Sequence, residues 1–166
     1  AQSVSGLASF INSDFEKAVQ AIAAAKGRVV VSGIGKSAVI AQKIVATFNS
    51  TGTPSIFMHA ADAIHGDLGM IQQEDVVIII SKSGESPEIK VLVPLIRNFG
   101  NILIGMVGST KSYLAKNSTI ILNTTVEQEA CPNNLAPTSS TTAQLVMGDA
   151  LAVCLMELKG FQTDDF

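Results

Sequence analysis

Residues 75–87 read DVVIIISKSGESP, and they hold the whole architecture in miniature. Asp75 to Ile80 reads as a strand: the run is β-branched and does not alternate with polar residues, so both its faces must be covered. The apolar run stops at Ser81, in a loop of serines around one glycine. Ser86 before Pro87 then suits a helix start, an N-cap with proline in the first helical position. A doubly buried strand, a polar loop and a helix make the repeating unit of a parallel α/β sheet.

The unit recurs on either side. Arg28–Ser32, Ser55–Met58, Ile102–Val107 and Thr119–Leu122 read as further strands. Helices are expected at Gly6–Ala25, Ser37–Asn49, Ser86–Asn98, Ser112–Lys116 and Ser140–Leu158. The expectation is therefore one α/β domain over residues 1–166, a three-layer αβα sandwich around a five-stranded parallel sheet of flavodoxin-like form. Residues 1–26 would supply an N-terminal helix and 27–166 the core.

Composition agrees with that class. Of 166 residues, 47% are hydrophobic and 15% charged, against roughly 25% charged in an ordinary soluble domain. Disorder is excluded by that mix. No apolar run approaches the ~20 residues of a membrane span, and AQSVSGLASF has no basic segment leading into an apolar one, so neither membrane nor secretory signal is expected. The net charge is −3 with the 11 basic residues scattered, which argues against nucleic acid as a partner. Cys131 and Cys154 lie 23 apart without CxxC spacing, and reduced thiols in a cytoplasmic protein are expected. A mean hydropathy of +0.38 leaves more apolar surface than a domain this small hides, so an oligomer is expected.

In a parallel sheet, ligands bind beyond the carboxyl ends of the strands, near helix N-termini. The loops Gly33–Ser37, His59–His65, Ser81–Ser86 and Glu127–Thr142 are the candidates. Gly33-Ile-Gly-Lys-Ser-Ala38 is no P-loop, since Val30 stands where that motif needs its first glycine. It matches the dinucleotide fingerprint at Gly33, Gly35 and Ala38, but the second strand ends Phe57-Met58-His59 without the ribose-binding acid, so no nicotinamide or other cofactor is expected. Ser81-Lys-Ser-Gly-Glu-Ser86 and Thr138-Ser-Ser-Thr-Thr142 each open a helix with hydroxyls, an arrangement suited to a phosphate ester. A plain serine-rich capping turn is the competing reading of either alone. Glu85 and Glu129 are candidate general bases, against helix-dipole complementation for the first and a solvated loop charge for the second. Lys36 could oppose charge developing on an enediolate oxygen. His59 and His65 are six apart, which matches no strong zinc pattern; a ligand-contacting role suits His65 equally well.

Taken together, Gly35-Lys-Ser37, Ser50-Thr-Gly-Thr-Pro54, His65-Gly-Asp-Leu-Gly-Met70, Ser83-Gly-Glu-Ser86, Glu129-Ala-Cys-Pro132 and Leu135-Ala-Pro-Thr-Ser-Ser-Thr-Thr142 resemble the sugar isomerase (SIS) family. Val146-Met-Gly-Asp-Ala-Leu-Ala152 and Gly160-Phe161, with the acidic Asp-Asp-Phe ending, extend the likeness over about Gly27 to Phe166. Within the family the chain looks like the arabinose-5-phosphate isomerase branch.

The resemblance implies reversible isomerisation of D-ribulose 5-phosphate and D-arabinose 5-phosphate through a cis-enediol, supplying Kdo for lipopolysaccharide or capsule. By that likeness Ser81, Ser83 and Ser86, with Ser37, Thr138, Ser139 and Ser140, hold the phosphorylated pentose. Lys36, Glu85 and Glu129 match catalytic positions, and Gly52, Thr53 and His65 match substrate contacts. His59 falls where a divalent metal binds, as an inhibitor and not for turnover. The family also implies a homotetramer. Members usually continue into a His-Pro-Gly segment with a functional histidine, and fuller ones carry a tandem CBS pair. A stand-alone SIS domain is expected here, controlled at its active site by a downstream Kdo-type product such as CMP-Kdo. Two other readings stay open: an isomerase of a different phosphosugar, and a non-catalytic phosphosugar sensor, which would have no need of Lys36, Glu85 and Glu129.

Overall fold

Five strands lie parallel in the order β2-β1-β3-β4-β5 in the computed structural model, which describes residues 1–165. They are β1 (Val29–Gly33), β2 (Ser55–His59), β3 (Val76–Ser81), β4 (Ile102–Val107) and β5 (Ile120–Asn123). Phe166, the last residue of the acidic ending, lies outside the described residues. Each strand falls within a residue or so of its expected span.

The alternating pleat divides the apolar residues between two layers. Val29, Val31, Ile78, Ile80, Ile104 and Met106 face α2 (Ser13–Ala24), α3 (Lys36–Ser50) and α7 (Ser139–Lys159). Val30, Val77, Ile79, Leu103 and Val107 face α4 (Ala60–Ala63), α5 (Pro87–Phe99) and α6 (Tyr113–Asn117). Every residue of central β3 is buried, whereas edge strands are buried only in part, β2 at Ser55 and Met58 and β5 at Ile120 and Leu122. Burying each such isoleucine contributes about 1.5–3 kcal/mol. The amino ends are pinned by Asp75, whose carboxylate accepts from Arg28 N at 2.7 Å and Gln72 N at 2.8 Å.

The first helix differs from expectation. Instead of one helix over Gly6–Ala25 there are α1 (Gln2–Gly6), a 3-10 turn at Leu7–Phe10, and α2. Asn12 makes the break: its side chain accepts from Asp14 N at 2.9 Å and Phe15 N at 3.3 Å and so starts a new helix.

Candidate functional site

The chain leaves β1 toward β2 on one side and β3 toward β4 on the other, so the loops after β1 and β3 part and open a crevice between them. A cavity of about 300 Å³ occupies this point. Ile34, Lys36 and Ser37 line it from the first loop, Ile80–Ser83 and Ser86 from the second, and Pro137, Ser140, Thr141 and Gln144 from the start of α7. Helices α3, α5 and α7 all begin here, each with partial positive charge at its first turn. Lys36 and Lys82 add two full charges, and no carboxylate is among the lining residues. An anion is what such a cavity attracts.

Local sequence explains each placement. Gly35 adopts φ 58° and ψ −129°, a conformation open to glycine, and this turns the chain so that Lys36 and Ser37 open α3 at the crevice. Ser37 Oγ donates to Gln144 Oε1 at 3.2 Å, tying α3 to α7 across the cavity floor. In the second loop Ser81 Oγ accepts from Gly84 N at 3.0 Å and Ser83 Oγ from Glu85 N at 3.2 Å, leaving both hydroxyl protons to offer. Gly84, at φ 64°, lets the loop press on α6, where a Cβ would collide with the Ser112 side chain. Ser86 occupies the N-cap of α5 but caps nothing: its Oγ is buried and has no hydrogen-bond partner among the described residues. A buried hydroxyl without a partner costs free energy unless a ligand supplies one.

Glu129 sits directly behind this wall, its side chain fully buried. Its Oε1 receives Lys82 Nζ at 2.7 Å and a short hydrogen bond from Ser140 Oγ. Its Oε2 receives Thr138 N at 2.8 Å, Ser140 N at 3.1 Å and Thr138 Oγ1 at 3.3 Å. Burial alone would push this carboxyl up, but Lys82, Ser140 and Thr138 outweigh it and hold it down to about 2. Both donors to Oε1 line the cavity, so Oε1 is the carboxylate oxygen bonded to its wall, while Glu129 itself lines the larger cavity on the other side of its loop.

Of the residues expected from sequence, the structure therefore gathers Lys36, Ser37, Ser81, Ser83, Ser86 and Ser140 around one cavity, with Glu129 behind it. Thr138 serves Glu129 and Ala130 N. Ser139 lines, with Glu127 and Glu129, a larger cavity of about 580 Å³ on the far side of this loop, against Ala1–Phe10, which carries no lysine. Glu85 is exposed and its carboxylate points to α6, accepting from Tyr113 N at 2.6 Å and pairing with Lys90 at 2.8 Å. The Lys90 hydrogen bond and the Tyr113 N–H hold it below the usual carboxylate range. His65 is exposed and outside the cavity lining. His59 Nδ1 accepts from Ala61 N at 3.3 Å as the cap of α4, and among the described residues no group of three His, Cys, Asp or Glu is placed to hold a metal. Gly52 and Thr53 precede β2 and so stand at the amino end of the sheet, roughly 17 Å of strand away. There Lys159 Nζ binds Gly52 O at 3.0 Å and Thr53 Oγ1 at 2.9 Å. Within one chain they do not meet the cavity.

Lys82, Thr141 and Gln144 were not singled out from sequence. Gln144 had a signal in its i+4 spacing from Ser140, which sets both on one face of the helix. Lys82 had only its place between two serines.

Residues 21–154 match the SIS domain family. The chain is 54% identical over 163 residues to arabinose 5-phosphate isomerase KdsD of Pseudomonas aeruginosa, covering 98% of this chain and 50% of that protein. Against KdsD of Escherichia coli K12 it is 52% identical over 157 residues, 95% of this chain and 48% of that protein. It thus spans about half the length of the curated relatives it matches. Among solved structures, E. coli CFT073 c3406 in complex with arabinose 5-phosphate superposes at a TM-score of 0.95 with 43% identity, covering 99% of this chain and 87% of that one. The Vibrio vulnificus NanR protein complexed with ManNAc-6P shares the fold alone, at a TM-score of 0.83 and 18% identity over 96% of this chain and 60% of that one.

Proposed function

The chain belongs to the SIS domain family, and from that premise we propose that it isomerises D-ribulose 5-phosphate and D-arabinose 5-phosphate. The observation that carries this reading is the buried, unpartnered Ser86 Oγ at the start of α5, in a cavity with two lysines and no acid. A phosphate monoester supplies the missing acceptor and meets the positive ends of three helices. The relatives named KdsD and the relative complexed with arabinose 5-phosphate support a pentose phosphate as the ligand.

With the phosphate held by Ser81, Ser83, Ser86 and Ser37, the sugar carbons extend toward Glu129 Oε1. In the ketose-to-aldose direction, that oxygen takes a proton from C1 as the C1–C2 double bond forms. The O1 hydroxyl proton passes to O2, and the carboxylic acid returns its proton to C2, leaving an aldehyde at C1. Lys36, without an ion pair among the described residues, opposes the charge that builds on the enediolate. Glu85, turned toward α6, positions the loop that carries Ser83 and Ser86. We assign Glu129 as the proton shuttle because, of the two, only its carboxylate is hydrogen-bonded to residues lining the cavity, whereas the Glu85 carboxylate is held by Tyr113 N and Lys90. Ser139, Gly52, Thr53 and His65 would reach substrate only through loop movement or a neighbouring subunit, and His59 would hold only an inhibitory metal.

The same reading extends to a product consumed in Kdo synthesis for lipopolysaccharide or capsule, in a cytoplasmic homotetramer. Val39, Val153 and Leu158, all more than half exposed, offer apolar surface for subunits to bury. It also takes a Kdo-type product such as CMP-Kdo as an inhibitor, an idea abandoned if saturating CMP-Kdo changes neither initial rate nor thermal stability. The test of the main reading is conversion of D-ribulose 5-phosphate by purified protein: an aldose product supports it, and binding without turnover favours a sensor.

A further inference from the structure

Glu129 presents a contradiction that Lys82 resolves. Five hydrogen bonds saturate the carboxylate, and a carboxylate so held is a poor base. Four of the five come from the start of α7, from Thr138 and Ser140, and are fixed by the helix. The fifth comes from Lys82, whose side chain is 49% exposed on a flexible four-carbon stem. Lys82 also lines the cavity, between Ser81 and Ser83 in the loop that forms the serine nest.

We propose that Lys82 is a shared cation, which holds Glu129 Oε1 in the unliganded chain and moves to the phosphate of the bound sugar, so that substrate binding itself uncovers the base. This rests on the isomerase reading given above. The competition favours the move: a phosphate monoester carries close to two negative charges at neutral pH against one for the carboxylate. Glu129 keeps its place after Lys82 leaves, because the α7 N–H groups and Ser140 Oγ still hold it. What it loses is the one full positive charge beside Oε1, and its basicity rises accordingly. A sugar without phosphate draws Lys82 away less, so the device also favours phosphorylated substrates. Lys36 plays no such part, since it has no carboxylate among its partners. Lys82 thus acts on the reaction twice, as a ligand of the phosphate and as a positioning residue for Glu129.

Competition for one cation has a thermodynamic signature. Dissociation constants for inorganic phosphate and for D-arabinose 5-phosphate, measured by titration calorimetry, should rise about tenfold in Lys82→Met, the loss of one charge-assisted contact. In Glu129→Gln, Lys82 is no longer held back, and both constants should fall about threefold to tenfold. In the double variant that gain should vanish, leaving the affinity of Lys82→Met. Equal affinity of Lys82→Met and wild type overturns the proposal, as does a Glu129→Gln gain that survives without Lys82. If Glu129→Gln does not fold, steady-state kinetics of Lys82→Met decide: the loss falls on KM, about tenfold, and kcat drops no more than a few-fold. A kcat loss of a hundredfold or more at unchanged KM overturns it. A wild type that shows the binding pattern but converts no pentose phosphate would sink the isomerase reading and leave the shared cation standing.

Discussion

Replacing Glu129 by glutamine should weaken the protein at neutral pH and do so less and less as pH falls. The substitution keeps the shape but removes the charge that Lys82, Thr138 N, Ser140 N and Ser140 Oγ converge upon, and it turns an NH2 group toward one set of donors. The folded carboxyl sits at about 2 against an ordinary value of 4.5. A folded value below the unfolded one stabilises above the unfolded value, and the contribution is lost as pH falls through the folded one. Linkage makes this about 3 kcal/mol at pH 7, roughly half of that at pH 3, and close to nothing below pH 2. Independently, removing the charge from a set of charge-assisted hydrogen bonds costs on the order of 2–4 kcal/mol. For a domain of this size, about 3 kcal/mol lowers Tm by roughly 6–12 °C. Urea denaturation followed by circular dichroism at pH 7, 4 and 3 measures it. A variant as stable as wild type at pH 7, or a gap that stays constant down to pH 3, refutes the reasoning.

Ser86→Ala should bind D-arabinose 5-phosphate about tenfold more weakly by calorimetry while its Tm holds or rises slightly, because the hydroxyl it removes is buried without a partner. Lys36→Met should keep its Tm within a degree or two and lose about a hundredfold or more in kcat, since no ion pair among the described residues is broken and the charge opposing the enediolate is gone. Asp75→Ala should cost about 2–4 kcal/mol in urea denaturation, because the buried carboxylate that accepts from Arg28 N and Gln72 N is lost, while the half-exposed Arg28 side chain keeps water and Met70 O.

The sheet was legible because its strands are continuous apolar runs closed by polar loops, a pattern that depends on nearest neighbours alone. The N-terminal helix was not legible as two pieces, because a single side chain, Asn12, restarts it inside a segment of uniform helical periodicity. Within the site, hydroxyls at helix starts were legible for the same local reason as the strands. The hold on Glu129 was not: its partners come from residues 9 and 11 positions along and from Lys82, 47 positions back, separations that carry no period. Thr53 is a different lesson. It precedes a strand and so stands at the opposite end of the sheet from the cavity within one chain, and no local pattern tells which other surface it would meet. Glu85 and Glu129 looked alike as loop carboxylates, and only the packing of α6 and α7 turned one outward and bonded the other to the wall of the cleft.

The most direct test follows D-ribulose 5-phosphate with wild type, Glu85→Gln and Glu129→Gln, observing the aldose by proton NMR. The account predicts D-arabinose 5-phosphate from the wild type, a loss of about a hundredfold or more in kcat for Glu129→Gln while it still binds the product, and a loss of less than tenfold for Glu85→Gln. No aldose from the wild type, or a collapse in Glu85→Gln with Glu129→Gln near wild-type rate, would contradict it.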